Sequence, residues 1–248
     1  MQTENLPPAL QPAPQPAPQP ASVRFAIRHQ ALLLATMILS SAMCVFLFGV
    51  RWVKTGQTTY YTLNVNLILA WIPAVFAWIA YNVYRKGSCW GAAIAVGCGA
   101  VWLLFFPNAP YLITDLVHLR ERPEMPYWFD QILYMAFAFT GVYLGMVSLI
   151  LMQALVRRSL GWIVSWVFAL GALVLGGFGI YIGRFLRFNS WDLLVNPKPL
   201  IKELLSWVLH PKSNSDAFIF AITFSVFFAA IYFVVVGILN LRRVDSKE

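Results

Sequence analysis

Residues 131–153, QILYMAFAFTGVYLGMVSLILMQ, contain no charged side chain and no regular alternation of apolar and polar positions. A helix of about 17–25 such residues crosses roughly 30 Å of hydrocarbon, whereas barrel strands are short and alternate. Five further runs read the same way: Ala31–Val50, Leu63–Tyr84, Gly91–Phe106, Trp162–Gly183 and Ala217–Leu239. Of the 248 residues 60% are hydrophobic and 11% charged, and the mean hydropathy is +0.68. Ordinary soluble domains carry about 25% charged residues. A soluble core is excluded. The expected fold is all-α, a polytopic transmembrane helical bundle of six spans with short amphipathic interfacial helices in the third and fifth loops.

Working outward from the spans, the net charge of +8 does not point to nucleic acid. Arg85-Lys86, Arg157-Arg158 and Arg242-Arg243 directly follow spans, as cytoplasmic ends do under the positive-inside rule. An even number of crossings puts these pairs on the side of the amino terminus, with Arg24 and Arg28. Raw counts of Lys and Arg tie between the two sides. The loops assigned to the inside are short and acid-free, while Asp115, Glu121, Glu124, Asp130, Asp192, Glu203 and Asp216 lie opposite. Both termini are therefore expected in the cytoplasm.

Three segments are expected: a tail over residues 1–23, one membrane domain over 24–243 and a polar end over 244–248. The tail carries a Gln-Pro-Ala-Pro repeat between Pro7 and Pro20, buries nothing and reads as disordered and polyproline-like. Arg24, Arg28, Ala31–Leu39 and Ser40-Ser41-Ala42 have the order of a signal peptide. The apolar run continues through Cys44–Val50, however, and is long enough to anchor. Cys44, Cys89 and Cys98 lack Cys-x-x-Cys spacing, so they imply neither a disulfide nor a zinc site. Small residues recur at every fourth position: Gly91, Ala95 and Gly99, then Gly141 and Gly145, then Gly179 and Gly183. Such rows let helices approach closely in lipid, so the third, fourth and fifth spans are expected at the centre of the bundle. No Lys, Arg, Asp, Glu or His lies inside a run, which weighs against an ion-coupled transporter. Asn64 and Asn66, near the outer start of the second span, either line a polar mouth or face headgroups.

Two polar stretches follow apolar runs and have two runs between them, so they share one face of the bilayer. The first runs from Pro107 to His118. Pro107 and Pro110 push their neighbours toward extended geometry, and helical periodicity resumes at Tyr111. Leu112, Ile113, Leu116, Val117 and Leu119 then share an apolar arc, with Tyr111, Thr114, Asp115 and His118 on a wet one. Asp115 and His118 are three apart and therefore neighbours. They read either as an acid–base pair in which Asp115 fixes the tautomer of His118, or as polar decoration of an interfacial helix. A metal site through Asp115, His118 and Asp192 is the weaker reading, since spacing fixes no third ligand.

The second stretch runs from Gly183 to Asp192. If the helix continues, Arg184 and Arg187 project from one face and can grip phosphate or carboxylate; the same residues also suit snorkelling to lipid phosphates. Phe185, Phe188 and Trp191 would seat this end among headgroups. Downstream, Pro197 and Pro199 open an amphipathic segment with Ile201, Leu204, Leu205 and Val208 apolar, ended by Pro211.

The phrases Phe105-Phe106-Pro107-Asn108-Ala109-Pro110-Tyr111 with Thr114-Asp115-Leu116-Val117-His118, and Gly183-Arg184-Phe185-Leu186-Arg187-Phe188-Asn189-Ser190-Trp191-Asp192, resemble the hallmarks of a bacterial integral-membrane family, domain of unknown function 1361. The resemblance covers about residues 30 to 240. It implies a multi-span protein of the bacterial inner membrane, and implies that Asn108, Asp115, His118, Arg184, Arg187, Asn189 and Asp192 form a site. It brings no substrate, cofactor or catalytic residue.

Three readings follow. In the first, Arg184 and Arg187 hold an anionic lipid or phosphate group on the outer side, Asp115 and His118 act as catalytic acid and base, and Asn108, Asn189 and Asp192 orient. In the second, the small-residue rows let helices slide in a permease or lipid mover. In the third, ion pairs such as Arg187 with Asp192 or Arg184 with Asp115 lock the loops of a scaffold. Membrane lipids are the partner common to all three; the cofactor and the reaction stay open.

Overall fold

A computed structural model describes residues 21–85, 87–188, 190–195, 197–210 and 213–245. The tail over 1–20, Lys86, Asn189, Asn196, Pro211, Lys212 and the terminal 246–248 lie outside the described residues. The described chain is helical: α1 Ala21–Thr55, α2 Tyr61–Tyr84, α3 Cys89–Phe105, α4 Asn108–Tyr111, α5 Tyr127–Leu160, α6 Trp162–Tyr181, α7 Asp192–Val195, α8 Pro197–Leu209 and α9 Ser215–Asp245. A 3-10 stretch, Leu112–His118, extends α4, and a π-helical turn, Ile182–Leu186, extends α6. Six of the helices are long and apolar enough to cross a membrane, and the protein is a multi-pass membrane bundle.

The centre of the bundle differs from expectation. Most of the apolar stretch of α5, 72% of it, is buried inside the protein. A helix apolar all round belongs inside. Its closest neighbour is α2, not α3. α2 carries a row of buried alanines, Ala70, Ala74, Ala77 and Ala80, small side chains that permit close backbone approach by its neighbours. α3 packs chiefly on α2, and α6 on α9 and α5. α3 reaches the centre through one large side chain: buried Trp102 donates from Nε1 to Ser148 Oγ at 3.1 Å and stacks on Phe168. Other side chains bridge spans in the same way, with Trp71 donating to Ser41 and Ser225 to the carbonyl of Leu173.

α5 and α6 are joined through Gly161 alone, whose φ of +91° sits where side chains with a Cβ are strained. On the face that carries both motifs, α8 lies beside the end of α6. Trp207 is buried against Phe178 and Tyr181, while Ile201, Leu205 and Leu209 are exposed, an apolar face turned away from the protein. Pro197 opens α8 at its first position, where no backbone donor is needed.

Candidate functional site

The site is built on how the chain leaves α3. Pro107 and Pro110 do not drive it into extended geometry. Phe106 and Pro107 both keep right-handed helical angles, and Pro110 falls in the first turn of α4, where its missing N–H is not required. The chain therefore turns and coils immediately. Glycines receive it: a Cβ at Gly141 would strike the Ala109 carbonyl, one at Gly179 would strike the Pro107 ring, and one at Gly183 would come within 3.3 Å of the Tyr111 ring. The glycine rows of α5 and α6 thus seat the first motif, rather than serving only contacts between spans.

From Leu112 the coil tightens to the 3-10 form, in which residues three apart eclipse. Leu112, Asp115 and His118 consequently fall in one row, whereas the expected α-helical wheel placed Leu112 opposite the other two. The row points inward at Leu112 and Asp115, both buried, and Val117 is exposed instead. Asp115 is thereby turned into the protein. It accepts from Asn66 Nδ2 at 2.8 Å and from Arg184 Nη1 at 3.4 Å.

Arg184 reaches this carboxylate from the π-helical turn at the end of α6, a local form that recurs at functional sites. It also donates to the Tyr111 hydroxyl at 3.5 Å and, from Nη2, to His118 Nε2 at 2.8 Å. A guanidinium only donates, so Nε2 accepts here and the ring proton sits on Nδ1. It is Arg184, rather than Asp115, that engages His118. Asn108 Nδ2 donates to Ser190 Oγ at 3.0 Å, a second tie between the motifs. The structure thus brings Asn108, Asp115, His118 and Arg184 together, with Asn66, Tyr111 and Ser190 added.

Arg187 is placed differently. The helix does not continue, so the two arginines do not share a helical face. Arg187 is exposed with φ +59°, left-handed for a residue with a Cβ. Asp192 opens the short α7. Among the described residues no three His, Cys, Asp or Glu side chains cluster as metal ligands, so Asp115, His118 and Asp192 do not form such a group. Arg187→Gly offers a clean probe: it removes the guanidinium and relieves a backbone cost of about 1 kcal/mol, offset partly by glycine's larger freedom when unfolded. The melting temperature should stay level or rise; a marked fall would mean that the side chain itself holds the turn.

Between the motifs lies a cavity of about 80 Å³ walled by Asn66, Leu69, Asn108, Tyr111, Gly183 and Phe188. It shares Asn108 and Phe188 with a larger, mostly apolar groove of about 430 Å³ between α3, α6 and α8.

A second polar cluster on the same face escaped sequence reasoning. Arg51 and Asp130, each 1% exposed, form a two-pronged pair, Nε to Oδ1 at 2.8 Å and Nη2 to Oδ2 at 3.3 Å. The Tyr60 hydroxyl donates to the same carboxylate at 3.1 Å, and the guanidinium lies over the Tyr60 ring. Both charges stand one residue outside an apolar run, Arg51 after the first and Asp130 before the fourth. The available signal was Arg51 itself, a cation at the non-cytoplasmic end assigned to the first span.

No curated protein and no solved structure matches the chain. A family does match, over residues 65–231, a narrower stretch than the 30–240 expected, running from within α2 across both motifs into α9. By that match the chain belongs to the family described as protein of unknown function (DUF1361).

Proposed function

We propose that this is a bacterial inner-membrane protein with both termini in the cytoplasm, whose motif face lies at the outer leaflet and binds the anionic group of a lipid or other phosphate-bearing molecule. The observation that carries the reading is the convergence on Arg184 of Tyr111, Asp115 and His118 beside a small cavity lined by two asparagines. Arg184 is 14% exposed, and its bond to Asp115 is long at 3.4 Å. An incoming anion therefore meets a guanidinium that is pre-positioned but not tightly neutralised, the arrangement that favours charge-assisted bonds. Arg187, exposed on the next turn of chain, adds long-range attraction. Asp115 and His118 supply the groups for proton transfer, His118 through its Nδ1 proton and Asp115 through the carboxylate held by Asn66.

The test is anion-dependent thermal stabilisation of the purified protein, with phosphate and with anionic lipid. Arg184→Gln should weaken apparent affinity at least tenfold, since a hydrogen bond to a charged group contributes about 1.5–3 kcal/mol. Arg187→Gly should weaken it less and in a salt-dependent way.

A structural latch is the second reading, favoured by the same Arg184–Asp115 and Asn108–Ser190 ties between the motifs. Under it, Arg184→Gln lowers the melting temperature and no anion stabilises even the wild type. The permease reading keeps only the third-span row as support, because the glycines of α5 and α6 are taken up by the Pro107–Leu112 segment while Gly91 and Gly99 meet Val83 and Met152.

A further inference from the structure

The ligand's chemical class can be narrowed from the two cavities, on the footing that the motif face binds an anion. The larger groove is lined by Ala100, Leu103 and Leu104 of α3, Leu175 of α6, and Leu200 and Leu204 of α8. At about 430 Å³ it lies in the range of small-molecule sites. Its polar end is formed by Asn108 and Ser190, which hydrogen-bond each other at 3.0 Å. Across Asn108 and Phe188 it adjoins the cavity of about 80 Å³.

We infer that the protein binds a single-chain lipid monophosphate, with its one hydrocarbon chain in the groove between α3, α6 and α8 and its phosphate in the cavity beside Tyr111. Three features carry this. One apolar groove adjoins the polar cavity across Asn108 and Phe188, which matches one chain per headgroup. The cavity is small: at about 80 Å³ it holds the equivalent of a few waters, room for a phosphate and not for a sugar or a glycerol-linked head. Its polar wall is made of hydrogen-bond donors. Asn66 and Asn108 each use an amide N–H on a neighbour and have a second one. The Tyr111 hydroxyl accepts from Arg184 and so has its own hydrogen to give, with the guanidinium charge directly behind it. α8 forms one wall of the groove with Leu200 and Leu204, and Ala100, Leu103 and Leu175 on the other walls are exposed, so a chain can enter sideways from the bilayer.

The experiment measures binding to the full chain in nanodiscs of zwitterionic two-chain lipid. The probes are farnesyl monophosphate, farnesol, inorganic phosphate and dioleoyl phosphatidic acid. Farnesyl monophosphate is expected to bind at least tenfold more tightly than any of the other three. Ala100→Trp with Leu175→Trp fills the groove from two exposed positions, and is expected to lower farnesyl monophosphate affinity at least tenfold while inorganic phosphate binding holds. A single Ala100→Phe, a gentler filling, should lower it in the same direction. Equal binding of phosphatidic acid, or groove variants that bind farnesyl monophosphate as wild type does, would overturn the single-chain assignment while anion binding stands. Loss of every Arg184-dependent anion effect would instead remove the anion site, and this inference with it.

Discussion

Asp130→Ala is expected to lose about 3–5 kcal/mol of stability, enough to prevent accumulation of the folded protein. The substitution leaves the Arg51 guanidinium buried at 1% exposure with its two-pronged partner gone. A buried charge stripped of its partner is among the most destabilising changes known, and the bilayer nearby offers no substitute solvent. Tyr60 loses its acceptor at the same time. Arg51 Nη1 already lacks a partner among the described residues, so the guanidinium has little to fall back on. The reciprocal Arg51→Met should be similarly harmful, leaving Asp130 held only by Tyr60. The pair removed together, Arg51→Met with Asp130→Leu, should recover most of the loss, because well-packed apolar replacements of buried ion pairs are often neutral. Thermal unfolding of all three variants in one detergent checks this. A double variant no better than the singles would mean that the pair does more than neutralise itself, and would direct attention to this cluster as a working site.

The second large effect is expected at Gly141. Alanine there places a Cβ against the Ala109 carbonyl oxygen and within 2.9 Å of Leu112 Cδ1. Backbone cannot yield as a side-chain tip does, so the motif segment must lift from α5. Overpacking of this kind costs about 1–3 kcal/mol. It should also separate Asp115 from Arg184, since both α4 and the 3-10 stretch ride on α5. Gly145→Ala, one turn on, is the control: its Cβ meets Ala109 and Pro110 at 3.4 Å, ordinary contact, and little change is expected. Melting temperature and Arg184-dependent anion binding, measured in parallel, distinguish the two. If Gly141→Ala melts and binds as wild type does, the motif is not held by that seat.

Several features are legible in the sequence. Six spans and the shared face of both motifs follow from apolar run length and parity, because each span satisfies its own backbone hydrogen bonds regardless of its neighbours. The amphipathic helix after Pro197 is equally plain, whereas the sequence left Asn66 open between a polar mouth and headgroups until its bond to Asp115 placed it at the site. Where sequence expectation and structure differ, a local rule meets a packing constraint. Prolines expected to break the chain sit at positions that tolerate them. Asp115 was assigned to water on a period of 3.6, and the 3-10 period of 3.0 turns it inward. Arg187 was paired with Arg184 along a helix that instead ends in a π turn and a left-handed residue.

Composition and hydropathy were enough to make this a membrane bundle and to set both motifs on one side, since insertion depends on each segment's own transfer from water to lipid. The choice of partners was settled by three-dimensional packing. Arg51 meets Asp130 across 79 residues and Arg184 meets Asp115 across 69. Arg51 reaches Asp130 because α1 packs on α5, and Asp115 reaches Arg184 because α5 and α6 seat the coiled first motif. Long-range pairing of this sort is a property of how faces fit, which no single segment carries.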